Sequence, residues 1–304
     1  MPIRSTVVVV TWRGAAHITA CLDALAAQTR PHRLLVIDNA SDDGTAHLLA
    51  RHPSAPEVVR LSRNTGYAGA TAHALSEVDT EFTVWLNDDA APAPDWLAEL
   101  EDHVGDAAAA ASRLEYADGQ VQSLGVNLTP DGHGYDTAET TQTPVFAFCG
   151  GAALIRTATL REVGGVPADF FCYYEDTDTA WRLRLAGHDI VTVPTARVTH
   201  RHGASTQPGS ESFHRWNERN RLLTLLRCAP AGIAARELAR FTAITALLPL
   251  KRNVPEAPNF RLGLRCRVLG EVILRLPATL AARKSITRRS TVGRGAVWAA
   301  WTSR

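Results

Sequence analysis

The chain has 304 residues, 45% of them apolar and 21% charged, which excludes a largely disordered or fibrous protein and leaves room for one large core or two modest ones. Its net charge of +1 joins an acidic body to a basic end. Residues 1–205 carry 14 Arg against 26 Asp plus Glu, giving −12, and residues 206–304 carry 18 Arg plus Lys against 5 Glu, giving +13.

Within Ser5 to Thr11, Val7-Val8-Val9-Val10 is a β-branched run of the kind buried on both faces of a parallel sheet. Between Ala16 and Gln28, Ile18, Leu22, Leu25 and Ala26 recur at helical spacing. Leu34 to Ile37 reads as a second buried strand. It closes on Asp38-Asn39-Ala40-Ser41-Asp42-Asp43-Gly44-Thr45, a run of turning and capping residues that leads into a helix to about Arg51. A third strand is predicted over Glu57 to Leu61, then a loop from Arg63 to Ala70 and a helix through Leu75. Phe82 to Leu86 is the fourth strand, and it delivers Asn87-Asp88-Asp89 to the edge that holds Asp38. This rhythm predicts an α/β fold with a doubly wound, mostly parallel sheet. Ligands of such sheets collect beyond the carboxyl ends of the strands.

Pro92 and Pro94 introduce a helix from about Asp95 to His103. Asp106 to Ala111 is Ala-rich and reads as a short helix or strand, and the chain to about Pro144 is loop-rich. Phe146 to Arg156 reads as a strand interrupted at Gly150-Gly151, where the backbone passes close to a ligand. A helix over Thr157 to Val163 and a turn at Gly164-Gly165 follow. Phe170 to Tyr174 then leads into Glu175-Asp176-Thr177-Asp178, acids that open a helix over Thr179 to Ala186 closed by Gly187. Ile190 to Val193 and Val198 to His200 read as two short strands. Beyond Gly203 the pattern becomes one of long helices, punctuated by Pro230, Pro249, Pro255, Pro258 and Pro277. Two parts are therefore expected, 1–205 and a basic, mostly helical 206–304.

The five cysteines, Cys21, Cys149, Cys172, Cys228 and Cys266, are odd in number and form no C-x-x-C pair. They point to reduced thiols rather than a disulfide or zinc framework. No signal-peptide pattern is read at Met1-Pro2-Ile3-Arg4, and no apolar stretch reaches the roughly 18 residues that span a bilayer. A cytoplasmic location is expected.

Each acidic cluster has a plain structural explanation. Asp88-Asp89 can cap a helix, Asp38 can make an Asx turn, Glu175 and Asp176 can complement a helix N-terminus, and His200 can be a satisfied core histidine. Their shared position past the ends of separate strands selects a site instead. Asp38-Asn39-x-Ser41-x-Asp43-Gly44-Thr45, Asn64-x-Gly66-Tyr67-Ala68, Leu86-Asn87-Asp88-Asp89, Phe171-x-Tyr173-x-Glu175-Asp176-x-Asp178-x-x-x-Arg182 with Gly187, and Val198-x-His200 occur in that order. Together, over about residues 5 to 205, they resemble an inverting family 2 glycosyltransferase of the GT-A fold. They are particularly similar to its bacterial rhamnosyltransferase and galactofuranosyltransferase branches.

The resemblance implies a metal-dependent transfer of a sugar, rhamnose-like or other, from a UDP- or dTDP-linked donor. The acceptor would be a hydroxyl of a glycan, a lipid-linked or a small molecule; no nucleic acid is implied. Asp89, with His200, matches the ligands of a divalent cation, Mn²⁺ or Mg²⁺, and Asp176 matches the base that deprotonates the acceptor. Thr11, Asp38, Asn39, Arg63, Asn64, Gly66 and Asp88 are implied to hold the nucleotide. Glu175, Asp178, Gly150 and Trp216 would support the site or meet the acceptor. Two departures stand out: Thr71-Ala72 where relatives often carry Asn-Asn, and Asn87 in place of the first Asp of a strict D-x-D.

Two other classes are weighed. A sugar nucleotidyltransferase shares the fold but calls for a Gly-rich basic loop after the first strand, which Thr11-Trp12-Arg13-Gly14 does not supply. A non-catalytic nucleotide-sugar-binding or membrane-recruited protein would place the work in the basic end. There, apolar Phe241 to Leu250 precedes Lys251-Arg252, and Arg283-Lys284 and Arg288-Arg289 flank Ile286. Such helices fit the anionic inner face of a membrane, as a peripheral protein. They equally fit packing on the body or on a second copy in a homo-oligomer.

Overall fold

The computed structural model describes residues 2–138, 144–201 and 209–302. The boundary expected between residues 205 and 206, and Gly203 beside it, lie outside the described residues. The N-terminal half alternates strand and helix: β1 (Ser5–Thr11), α1 (Ile18–Ala26), β2 (Arg33–Asp38), α2 (Thr45–Arg51), β3 (Glu57–Arg60), α3 (Gly66–Glu77) and β4 (Phe82–Asn87). Then follow β5 (Ala90–Pro92), α4 (Trp96–His103), β6 (Ala109–Glu115), β7 (Val121–Ser123), β8 (Val126–Leu128), β9 (Gly134–Asp136), β10 (Ala152–Arg156) and α5 (Thr157–Glu162). The chain ends in α6 (Glu175–Leu185), β11 (Ile190–His200), α7 (Glu211–Cys228), α8 (Ala231–Leu247), α9 (Leu262–Arg289) and α10 (Arg294–Thr302).

The main sheet runs β3-β2-β1-β4-β10-β6-β11-β5, with β7 on β6. From β3 to β4 every pairing is parallel, and Val7 to Val10 are buried on both faces, as their β-branched run requires. Beyond β4 the sheet becomes mixed, because β10 enters antiparallel to both β4 and β6. Register then sets the site's edge. Thr11 lies opposite Asp38, Val10 opposite Asn87, and Asp38 opposite Arg60, so four strands close at about one level.

Several boundaries differ from the sequence reading. Ala109 to Glu115 is a strand, since its small residues fit between β10 and β11. The two short strands expected after Gly187 are one, β11, broken only by a register irregularity between Val193 and Arg197. Helix α6 begins at Glu175 rather than Thr179, so the acids form its first turn. Pro277 does not end a helix; α9 runs through it for 28 residues. Pro277 and Ile273 are both exposed, so the carbonyl that loses its helical donor lies on the solvent face.

The C-terminal helices share the body's core. Leu222, Leu223, Val268, Ile286 and Val297 belong to the cluster that holds Trp181 and Phe146. Trp298 stacks on Trp181 at 5.9 Å and Phe146 meets Trp181 edge-on at 5.4 Å. Each such buried side chain contributes about 1.5–3 kcal/mol. No helix among the described residues is long and apolar enough to cross a membrane.

Candidate active site

A cavity of about 390 Å³ opens where β1, β2, β4 and β11 end and α6 begins. One end of it is built around Asn39. The side-chain amide of Asn39 donates to Asn64 Oδ1 at 3.0 Å and to the Gly66 carbonyl at 3.1 Å, and its Oδ1 accepts from Thr65 N at 2.8 Å. Asn39, Asn64, Gly66 and Trp12 all line the cavity. Asp38 does not. Its carboxylate accepts from Arg60 at 2.6 Å and from Ser41 N at 2.8 Å, because Arg60 is its cross-strand neighbour. Thr11 and Arg63 also stay off the wall, so of the residues implied for the nucleotide Asn39, Asn64, Gly66 and Asp88 reach it.

Asp88 and Asp89 diverge. Asp88 turns toward α1, with His17 Nε2 3.3 Å from its Oδ1, and the carboxylate holds the His17 ring above its ordinary pKa. Its Oδ2 and the nearby Thr11 Oγ1 are buried without a hydrogen-bond partner, and a Cβ on Gly14 would run into both. His17 gave no signal in the sequence, since it falls just before α1 with no motif around it.

Asp89 Oδ1 stands 3.2 Å from His200 Nε2, and both residues are buried. Strand pairing of His200 with Ala90 brings together these two residues, 111 positions apart in the chain. Gln122 Oε1 lies 2.9 Å from His200 Nδ1, which donates to it and so fixes the orientation of the ring. Asn87 Nδ2 sits 3.1 Å from the same Nε2. Burial pushes the Asp89 carboxyl up, but the hydrogen bond and charge of His200, with that of His17, outweigh it and hold it below its usual value. Two acceptors so close call for a proton or a cation between them. Among the described residues no group of three or more His, Cys, Asp or Glu could hold a metal. A two-ligand set does fit a hard cation that takes its other ligands from phosphate and water.

The opposite wall is the first turn of α6. Gly150 N donates to Asp176 Oδ2 at 2.9 Å, and Thr177 N to Asp176 Oδ1 at 2.6 Å. Tyr67 Oη donates to the Gly150 carbonyl at 2.7 Å, linking α3 to the same loop. Burial raises the Asp176 carboxyl against these N–H donors, helped by the charge of Asp136. Glu175 is pushed up to about 8, by burial first and the Asp176 charge second, and its Oε2 is buried without a partner. Asp178, implied for acceptor or helix support, faces away from the cavity. It forms ion pairs with Arg182 at 2.7 Å and Arg227 at 2.9 Å, so its part is to hold α6 against α7. At the mouth, Trp216 of α7 meets Phe171 at 4.8 Å and Phe213 meets Tyr173 at 5.2 Å.

A mixed GT-A sheet that sets a carboxylate–imidazole pair on one wall and a half-buried carboxylate on the other defines the nucleotide-sugar transferase class. The comparisons agree. Glycosyl transferase family 2 matches residues 6–164, over half of the chain, and the protein belongs to that family. It is a glycosyltransferase. A relative in Mycobacterium tuberculosis, the N-acetylglucosaminyl-diphospho-decaprenol L-rhamnosyltransferase, is 26% identical over 246 residues, 66% of this chain and 76% of that one. The structure of S. aureus TarS 1-349 in complex with UDP-GlcNAc aligns at TM-score 0.57 and 19% identity, covering 94% of this chain and 87% of that one. GalNAc-T7 with UDP, GalNAc and Mn²⁺ aligns at TM-score 0.63 and 14% identity. There the match covers 91% of this chain and spans 57% of the longer neighbour.

Proposed function

We propose that the protein is a metal-dependent, inverting glycosyltransferase that moves a rhamnose-like or related sugar from a UDP- or dTDP-linked donor to a hydroxyl of a lipid-linked, glycan or small-molecule acceptor. The observation that carries this reading is Asp176, a half-buried carboxylate on the cavity wall opposite Asp89 and His200. Inversion needs one base placed to take the acceptor's proton during in-line attack, and one carboxylate suffices because the diphosphate leaves without protonation. Gly150 and Thr177 N–H groups fix the rotamer of that carboxylate, and its burial raises its basicity.

Asp89 and His200 would hold Mn²⁺ or Mg²⁺, which supplies Lewis-acid neutralisation of the departing diphosphate. Asn39, Asn64 and Gly66 position the nucleoside, and Asp88, which also lines the cavity, offers a carboxylate for the ribose. Trp216 and its aromatic neighbours form a flat wall suited to the apolar face of an acceptor sugar. A solvated Arg and Lys surface on α8 and α9 fits the peripheral contact with an anionic membrane that a lipid-linked acceptor requires.

The direct test is a transfer assay with UDP- and dTDP-sugars, with and without Mn²⁺, reading the anomeric configuration of the product by NMR. Metal-dependent transfer with inversion is expected. Retention of configuration would refute the single-base mechanism, and nucleotide exchange without transfer would point to a nucleotidyltransferase.

A further inference from the structure

The backbone that delivers Asp176 is built in a form ordinary residues avoid. Phe171 has φ 67° and ψ −63°, and Cys172 N donates to the Phe170 carbonyl at 2.8 Å. That is the strained hand of the γ-turn. Tyr173 and Tyr174 follow with φ 70° and 68°, so three of four consecutive side-chain-bearing residues lie in the left-handed region immediately before α6. Such conformations persist only where the surroundings over-determine them.

Three carbonyls of this segment converge on one side-chain amide of a different helix. Asn220 of α7 is fully buried, and its Nδ2 donates to the carbonyls of Phe170 at 3.0 Å, Cys172 at 2.8 Å and Tyr173 at 2.8 Å. Two protons are thereby spread over three acceptors. The preceding Arg219 donates from Nε to Asn220 Oδ1 at 2.9 Å, which settles the amide's orientation, and a second arm reaches the Phe170 carbonyl. Arg219 is itself anchored to Glu271 of α9 at 3.0 Å. From the donor side, Ala68 N donates to the Phe171 carbonyl at 3.0 Å. Gly66, at φ 74°, permits this approach, since a Cβ there would collide with that carbonyl. Neither Arg219 nor Asn220 lines the cavity.

We propose that Asn220, oriented by Arg219, is a positioning residue for sugar transfer: it holds Phe171, Tyr173 and Tyr174 in the left-handed form that presents Asp176 to the acceptor. The inference rests on the reading of Asp176 as the base. It makes α7 part of the catalytic unit, and it ties the nucleotide loop at Gly66 and the base to one strained segment.

The test is steady-state kinetics on the full chain, using the donor sugar that the wild type turns over and, if no acceptor is identified, donor hydrolysis with water in its place. Asn220→Ala is expected to lower kcat by on the order of 100-fold, the penalty for a small misplacement of a reacting group. Donor KM and UDP binding should stay near wild type. Phe171→Gly supplies a second readout, because glycine takes positive φ without strain. Removing Asn220 should therefore cost several-fold less in the Phe171→Gly background than in the wild type. Equal factors in both backgrounds, or a folded Asn220→Ala with wild-type kcat, would overturn the proposal. Should Asn220→Ala fail to fold, Asn220→Ser, which keeps one donor, carries the same comparison. Asp176→Asn separates the two readings: if it still transfers, base and latch both fall. If it is inactive while the Asn220 variants are normal, only the latch does.

Discussion

The backbone N–H of Gly150 donates to Asp176 Oδ2 at 2.9 Å, joining the approach to β10 to the first turn of α6. Because Asn87 N donates to the Gly151 carbonyl at 2.9 Å, the same short loop also touches the end of β4. The Asp176 wall and the end of β4 that carries Asp88 and Asp89 are thus tied to one pair of glycines.

Asp176→Asn keeps the shape of the side chain and removes its basicity. Transfer should fall by roughly 10²–10⁴-fold, the usual contribution of a positioned general base. Donor binding, followed by isothermal titration with UDP and Mn²⁺, should change little. A wild-type rate would show that Asp176 is not the base.

Asp89→Ala leaves His200 as the lone protein ligand on the phosphate wall. Mn²⁺-dependent UDP binding and turnover should both be abolished, while metal-free UDP binding through Asn39 and Asn64 persists. Gln122→Ala should produce a milder version, because losing the partner of His200 Nδ1 frees the ring to rotate; a 10–100-fold loss of Mn²⁺ affinity is expected. Unchanged metal-dependent binding in Asp89→Ala would remove it from the metal site.

Glu175 makes a prediction about stability and pH. Its folded pKa, about 8, lies above its ordinary 4.5, so between these values the folded state holds a proton that the unfolded state has released. Stability should therefore fall as pH rises through that window. Glu175→Gln, which stays neutral, should flatten the dependence, and urea midpoints at pH 5.5 and pH 8 read the difference. Parallel pH profiles for the two proteins would refute the assignment.

How much of this was legible in the sequence follows from where each signal resides. Parallel strands buried on both faces must be β-branched runs, so β1, β2 and β4 could be read from Val7 to Val10, Leu34 to Ile37 and Phe82 to Leu86. The strand ends then placed Asp38, Asp88-Asp89 and His200 at one edge of the sheet, and the resemblance singled out Asp89 with His200. The direction of Asp38 was hidden, because it depends on Arg60 lying opposite in register, and register is not local. Gln122 sits in a three-residue strand too short to alternate. His214, Trp216, Asn217, Arg219 and Asn220 resemble the start of a helix that in related enzymes packs back on the active site, but what Asn220 holds was hidden for a third reason: its partners are backbone carbonyls, which carry no residue identity, about 50 positions away.

Asp178 separates stability from catalysis. It is fully buried between Arg182 and Arg227, and removing it leaves two guanidinium groups short of a counter-charge. Asp178→Asn should cost about 3–5 kcal/mol, the penalty for breaking a buried pair by deleting one partner. Urea denaturation measures that loss, and kcat per folded molecule should remain within a small factor of wild type. A fall in kcat with no loss of stability would return Asp178 to the acceptor site.

The last prediction concerns the basic end. Ile273 and Leu274 of α9 are 66% and 80% exposed, and Leu250 after α8 is 78% exposed. Arg267, Arg275, Lys251 and Arg252 stand close to them in sequence. Apolar tips among cations suit an anionic bilayer surface, where each basic group near the membrane contributes about 1 kcal/mol. The intact chain should sediment with vesicles containing anionic lipid and much less with neutral ones, and added salt should release it. Ile273→Asp with Leu274→Asp should abolish sedimentation while leaving transfer to a soluble acceptor unchanged, since neither residue lines the cavity. Equal sedimentation of the variant and the wild type would rule this face out as the membrane contact. A concentration-dependent dimer lost in the same variant would assign the face to a second copy of the chain instead.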